Sequence, residues 1–215
     1  MGDSEISLLC QRLYARHKRA FDLINKQIEV RTERRRSLLY QLVHQSQSPS
    51  FAVESGVKGG MYTRFLPSDW DRAALRGGKG WTKSKRILLF EFVNHPDSLR
   101  LALCIGPGPQ ERRHPIYELA AAHEPPFNRT HQGLHPKYHW LFWRQILTSE
   151  QIVASTDAEL EQEIRRHWAE FLHNDLPAID TLLRTIPWIW QSKSAPAAPP
   201  TTDLADEEAD LSLSE

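Results

Sequence analysis

The sequence predicts an α+β protein: an antiparallel sheet of about four strands packed on C-terminal helices, with a long N-terminal helix before it and an acidic tail after it. Three observations carry this expectation. Residues 4–47 contain neither proline nor glycine, so nothing there breaks a helix. Residues 86–105 hold two apolar runs around Asn94-His95-Pro96-Asp97-Ser98, the pattern of two strands joined by a hairpin loop. Residues 148–186 carry two helix-start signatures followed by apolar residues at helical spacing. Residues 1–48, 49–191 and 192–215 are therefore read as helix, α+β domain and tail.

The first helix has Asp3 or Ser4 as its N-cap. Ile6, Leu9, Leu13, Ala20, Ile24, Ile28, Leu38 and Leu42 form an apolar stripe. The stripe weakens across Arg31-Thr32-Glu33-Arg34-Arg35-Arg36, which argues against a strict heptad coiled coil. One helix cannot bury its own stripe, so residues 4–47 are expected to pack on the body, on a protein partner or on a second copy, with homodimerisation preferred. Arg34, Arg35 and Arg36 are candidate phosphate contacts; the plainer reading is a solvated face.

Residues 51–57 and 61–65 read as short strands, separated by a Lys58-Gly59-Gly60 turn. One or two helical turns are expected across 69–75. Arg76-Gly77-Gly78-Lys79-Gly80 reads as a flexible basic loop, continued by Lys83, Lys85 and Arg86. Glycines allow close backbone approach and the cations supply charge, which makes this loop the best phosphate-contact candidate in the chain. It lacks the spacing of a Walker A loop.

Strands follow over 86–93 and 99–105, and Gly106-Pro107-Gly108-Pro109 ends the second. The next helix runs through Ala122 and tolerates Pro115 only in its first turn. Residues 138–147 (YHWLFWRQIL) read as a further strand. Strict alternation sets Tyr138, Trp140 and Phe142 on one face and His139, Leu141 and Trp143 on the other. Both faces are apolar, so burial on both sides is expected, with a base-stacking platform as the sharper alternative. Thr148-Ser149-Glu150-Gln151 and Thr156-Asp157-Ala158-Glu159 fit capping boxes. Leu160, Ile164, Trp168 and Phe171 form the stripe of the second of these helices. Asp175 is expected to cap one more helix, with Pro177 in its first turn and Ile179, Leu182, Leu183 and Ile186 buried.

The net charge of zero hides an asymmetry. Asp203, Asp206, Glu207, Glu208, Asp210 and Glu215 give residues 203–215 six negative charges and no positive one, leaving residues 1–202 at +6. A mildly basic body permits nucleic-acid contact without demanding it. The proline- and alanine-rich stretch before the acids has a linker composition, and residues 192–215 are expected to be disordered. Cys10 and Cys104 match no metal or redox spacing, which fits a reducing cytoplasm. Neither a secretory leader nor an apolar run of membrane-spanning length is legible.

Little in the sequence reads as catalysis. His131, His135 and His139 stand four apart, but Gly133 and Pro136 oppose the helix that would align them on a zinc ion. No nucleophile elbow is present, and no cofactor is implied. Asp69, Asp71 and Glu91 are the carboxylates that could be assembled into a diverged metal site, yet the lysine that such a site requires two residues beyond the second acid is replaced by Val93.

Trp81, Ser84, Arg86 and Leu88-Leu89-Phe90-Glu91-Phe92, followed by Leu99, Leu101, Leu103, Ile105-Gly106-Pro107-Gly108 and then Arg113, carry a resemblance. This pattern resembles the segment downstream of the catalytic core in bacterial PD-(D/E)XK-type nuclease proteins, over roughly residues 81–173. The family's nuclease motif has no counterpart here. The resemblance therefore implies an accessory module of DNA-processing or phage-defence systems without the cutting function. The expected function is a non-enzymatic nucleic-acid-associated module that contacts DNA. The alternatives are a protein-assembly adaptor that dimerises through its N-terminal helix, and a diverged metal nuclease.

Overall fold

The computed structural model describes residues 3–54, 61–128 and 133–191. Helix α1 (Asp3–Gln45) leads into five strands: β1 (Phe51–Val53), β2 (Tyr62–Pro67), β3 (Leu88–His95), β4 (Ser98–Ile105) and β5 (His139–Leu147). They form one antiparallel meander in the order β1-β2-β3-β4-β5, one strand more than the expected four. Helix α2 (Gln110–Ala122) lies between β4 and β5 in sequence. Helices α3 (Ser149–Ala154), α4 (Asp157–Glu170), α5 (Leu176–Leu183) and α6 (Pro187–Trp190) follow the sheet.

The register assigns the two faces of the sheet. Phe65 pairs with Phe90, Phe90 with Leu103 and Leu103 with Phe142, and residues directly opposite each other project to the same side. This side is covered by helices. The Trp168 and Phe171 rings, from α4 and the turn after it, lie 5.7 Å from Phe65 and 5.0 Å from Phe90. The stripe Leu160, Ile164, Trp168 and Phe171 is buried as its spacing predicts. Both capping boxes form: the Thr148 and Thr156 hydroxyls accept from the Gln151 and Glu159 N–H groups, and those side chains accept in return.

Two local expectations are corrected. Pro115 sits in the second turn of α2, not its first, so the helix carries the missing N–H in exchange for burying Arg113, Ile116 and Ala120. Asp175 makes no side-chain cap to α5. A π-helical turn, Phe171–Asp175, joins α4 directly to α5. Such a widened turn is one way to accommodate Pro177, which cannot complete the ladder behind it. The Asp175 carboxylate instead accepts from Arg144 on β5 at 2.9 Å.

Helix α1 divides in two. Leu38, Leu39, Leu42 and Val43 are buried against the body, whereas every residue from 4 to 30 is exposed. The arginine run marks the boundary and is used internally. Arg31 donates to Asp157 at 2.8 Å and to the Ile152 and Ser155 carbonyls at 2.9 and 2.8 Å. Arg34 also meets Asp157. Arg35 is buried and donates to Asn94 (3.1 Å) and to the His95 carbonyl (2.9 Å), locking the helix to the β3–β4 hairpin. Arg36 faces solvent and pairs with Glu33 at 2.8 Å. Of the expected phosphate contacts here, Arg34 and Arg36 are surface groups and Arg35 is a structural bolt. Among the described residues no helix is long and apolar enough to cross a membrane.

Candidate nucleic-acid interface

The second face of the sheet is built by the alternate residues. Arg64 pairs with Glu91, Glu91 with Ala102 and Ala102 with Trp143; Cys104 faces Trp140 one step along. A register shift between Leu103 and Cys104 inserts Leu141 as an extra residue, so strict alternation fails on β5. Trp140 and Trp143 consequently share this face, while Leu141 and Phe142 are buried. The expectation that both faces of β5 pack into the core is thereby corrected. Trp140, Trp143 and neighbouring Tyr138 remain 36%, 45% and 45% exposed.

These side chains, with Tyr62, Trp81, His135 and His139, line a cavity of about 780 Å³ whose floor is Arg64, Glu91 and Cys104. Each wall has a local cause. Trp81 lies flat against Gly106: a Cβ added there would fall 2.0 Å from its ring, so only glycine admits the indole. The turn 135–137 is held from below by buried Arg113, which donates to the His135 and Pro136 carbonyls at 2.6 and 2.9 Å. The His135 ring caps the same turn, its Nδ1 accepting from Lys137 N–H at 3.2 Å. Neither it nor His139, whose Nδ1 faces the His135 N–H at 3.3 Å, forms part of a metal cluster among the described residues. His131 lies outside those residues.

On the cavity floor, Arg64 donates through Nε to Glu91 at 2.9 Å. Its guanidinium lies 4.7 Å from the Tyr62 ring and 5.3 Å from the Trp81 ring, held by charge and by two π-faces. The Nε bond leaves the terminal amino groups without a hydrogen-bond acceptor among the described residues. An aromatic enclosure over such a donor–acceptor pair suits a planar ring with polar edges.

The 76–86 loop is pinned rather than free. Gly77 and Gly78 N–H both donate to the Lys85 carbonyl at 2.8 Å, which holds Lys85 at φ +62°. Arg86 is buried and spans Glu54 (2.9 Å) and Asp71 (2.7 Å), and Arg76 joins Asp71 at 2.8 Å. The charge-assisted hydrogen bond from Arg86 keeps the Asp71 carboxyl below its ordinary value. Arg86 and Arg76 thus anchor the loop, while Lys79, Lys83 and Lys85 stay exposed.

The three carboxylates considered for catalysis are each matched by arginine: Asp69 with Arg184, Asp71 with Arg86 and Arg76, Glu91 with Arg64. Among the described residues no group of three or more metal-ligating side chains comes together. Tyr62 and Arg64 went unnoticed in the sequence, although an arginine inside an apolar strand facing a glutamate inside another was the available signal.

Burial, and then the nearby His135 and Arg113, push the His139 ring below its ordinary pKa of 6.5. The unfolded chain therefore takes up this proton first, so the stability is complete above pH 6.5 and declines as pH falls through that value toward the folded one. His167, lowered foremost by burial, acts in the same direction. Thermal unfolding between about pH 7.5 and about pH 5.5 is expected to show a falling Tm, and His139→Gln to reduce the fall. An unchanged slope in that variant would remove His139 from the account.

Compared with models of protein families, with curated proteins and with solved structures, the chain matches none of them.

Proposed function

We propose that the protein is a non-enzymatic nucleic-acid-associated module that lays a single strand across the open face of its sheet. One observation carries the reading: Trp140 and Trp143 on one side of β5, and Tyr138 just before it, expose their rings at a cavity walled also by Tyr62 and Trp81. Leaving three large aromatics in water is unfavourable unless something covers them. Unpaired bases offer a π-face to each ring, and Lys79, Lys83 and Lys85 supply cations for the phosphates. Arg64 and Glu91 offer a donor and an acceptor to a base edge. A regular duplex keeps its base faces stacked inside and cannot use such a platform. The resemblance of residues 81–173 to accessory regions of nuclease-type proteins points toward the same class of ligand.

Binding of a fluorescent single-stranded oligonucleotide to the full chain tests this. Trp140→Ala and Trp143→Ala are each expected to weaken binding roughly tenfold to hundredfold, the worth of one stacked base, with the unfolding midpoint nearly unchanged because both rings are already exposed. Wild-type affinity in both variants would rule out the stacking surface.

A further inference from the structure

Among the described residues, no element covers the apolar stripe along the N-terminal two-thirds of α1, and we infer that a second copy of the same segment covers it. Residues 4–30 form 27 consecutive exposed positions, among them Ile6, Leu9, Leu13, Phe21, Ile24 and Ile28, each at least 40% exposed. No comparable run of exposed apolar side chains occurs elsewhere among the described residues.

The spacing ties this surface to a face that packing already uses. Steps of eleven carry Ile24 to Arg35 and Ile28 to Leu39. Eleven residues make three turns at 3.67 per turn, close enough to the α-helical 3.6 to keep one face aligned. Arg35 and Leu39 are buried against the body, so the stripe from Ala20 onward continues an existing packing face past its last internal partner. The helix is kinked at His17, the one position inside it with non-helical φ/ψ (φ −120°, ψ 22°). There the Tyr14 hydroxyl donates to Asp22 at 3.0 Å and the Tyr14 and Phe21 rings lie 6.0 Å apart, joining the turns on either side.

Three arguments favour a second copy as the occupant. Residues 4–16 and 18–30, the two runs on either side of His17, together amount to about 40 Å of helix 10–12 Å across. Their area is of the same order as the ~800 Å² per partner of a standard specific interface. The stripe residues carry no formal charge at neutral pH, and the flanking charges are mixed: Glu5, Asp22 and Glu29 against Arg12, Arg16, Lys18, Arg19 and Lys26. The resulting excess of +2 per segment is small, sits mainly off the seam and is screened over about 8 Å at physiological salt. A helix with this much bare apolar face gains most of its stability from packing rather than from propensity, and an identical segment is present at the same concentration as the chain itself.

The test is the mass of the full chain by light scattering and sedimentation velocity over a concentration series. The expected result is twice the chain mass of 24.9 kDa for the wild type, and the single chain mass for Leu13→Glu/Ile24→Glu. That double variant should retain its thermal transition and its oligonucleotide affinity per chain, since neither residue touches the body. Val153→Glu, which places a charge on the exposed face of α3, should remain dimeric. A wild type that stays monomeric throughout the series would overturn the inference, as would a double variant that stays dimeric.

Discussion

Arg86→Ala lowers the unfolding free energy by about 3–5 kcal/mol, the cost of leaving buried carboxylates without their counter-ion. The side chain lies between Glu54 and Asp71, and Glu54 is itself buried, its remaining acceptors taken by Ser84. Deleting the guanidinium strands Glu54 in a poorly solvated site, whereas Asp71 keeps Arg76. Urea denaturation measures the loss. The double variant Glu54→Leu/Arg86→Met is expected to recover much of it, because apolar replacements remove the uncompensated charge. Since Arg86 is directed inward, the folded fraction of Arg86→Ala should bind oligonucleotide nearly as the wild type does. Near-native stability with lost binding would make Arg86 a phosphate ligand instead.

Gly106→Val removes the wall of the cavity without touching any polar group. A Cβ at position 106 falls 2.0 Å from Cε3 and 2.4 Å from Cζ3 of Trp81, well inside van der Waals contact. Gly106 directly follows β4 and its N–H donates to the Ile87 carbonyl at 2.8 Å, which holds the backbone in place, so the indole must leave. Overpacking of this kind costs about 1–3 kcal/mol, and the displaced ring also abandons its contact with Arg64. Oligonucleotide binding is expected to fall by at least as much as in the single tryptophan variants, and the emission of Trp81 to shift toward that of a solvated indole. Unaltered emission and affinity would mean that Trp81 does not depend on Gly106. At Gly108 a Cβ would fall 2.5 Å from Cγ2 of Ile87, a branch methyl on a buried side chain that is stiff at χ1.

Local chemistry was legible in the sequence and long-range register was not. The β3–β4 hairpin follows from alternation about a turn of Asn, Pro, Asp and Ser, and it forms with His95 opposite Ser98. The capping boxes need only four residues each and form as read. A base-stacking platform was the alternative reading of this strand, but the face shared by Trp140 and Trp143 escaped because it depends on one inserted residue, Leu141, that moves Trp143 to the side of Trp140. A bulge is set by the partner strand, and nothing in YHWLFWRQIL marks it. The arginines were misjudged for a related reason. Arg35 and Arg86 resemble solvated or phosphate-binding cations until the elements that supply Asn94, Glu54 and Asp71 are placed against them. Lys79, Lys83 and Lys85 are exposed and make no such ion pairs among the described residues.

Anisotropy of the full chain with a single-stranded and a duplex oligonucleotide of equal length, across a salt series, tests the central claim most directly. The single strand should bind at low salt with a shallow log–log slope of about −3. This is the value for four phosphates neutralised at roughly −0.7 each, by Lys79, Lys83, Lys85 and the exposed Lys137. The remaining affinity then comes from stacking, and the duplex binds more weakly. Equal or tighter binding of the duplex, or no binding of the single strand at low salt, would contradict a base-stacking sheet face.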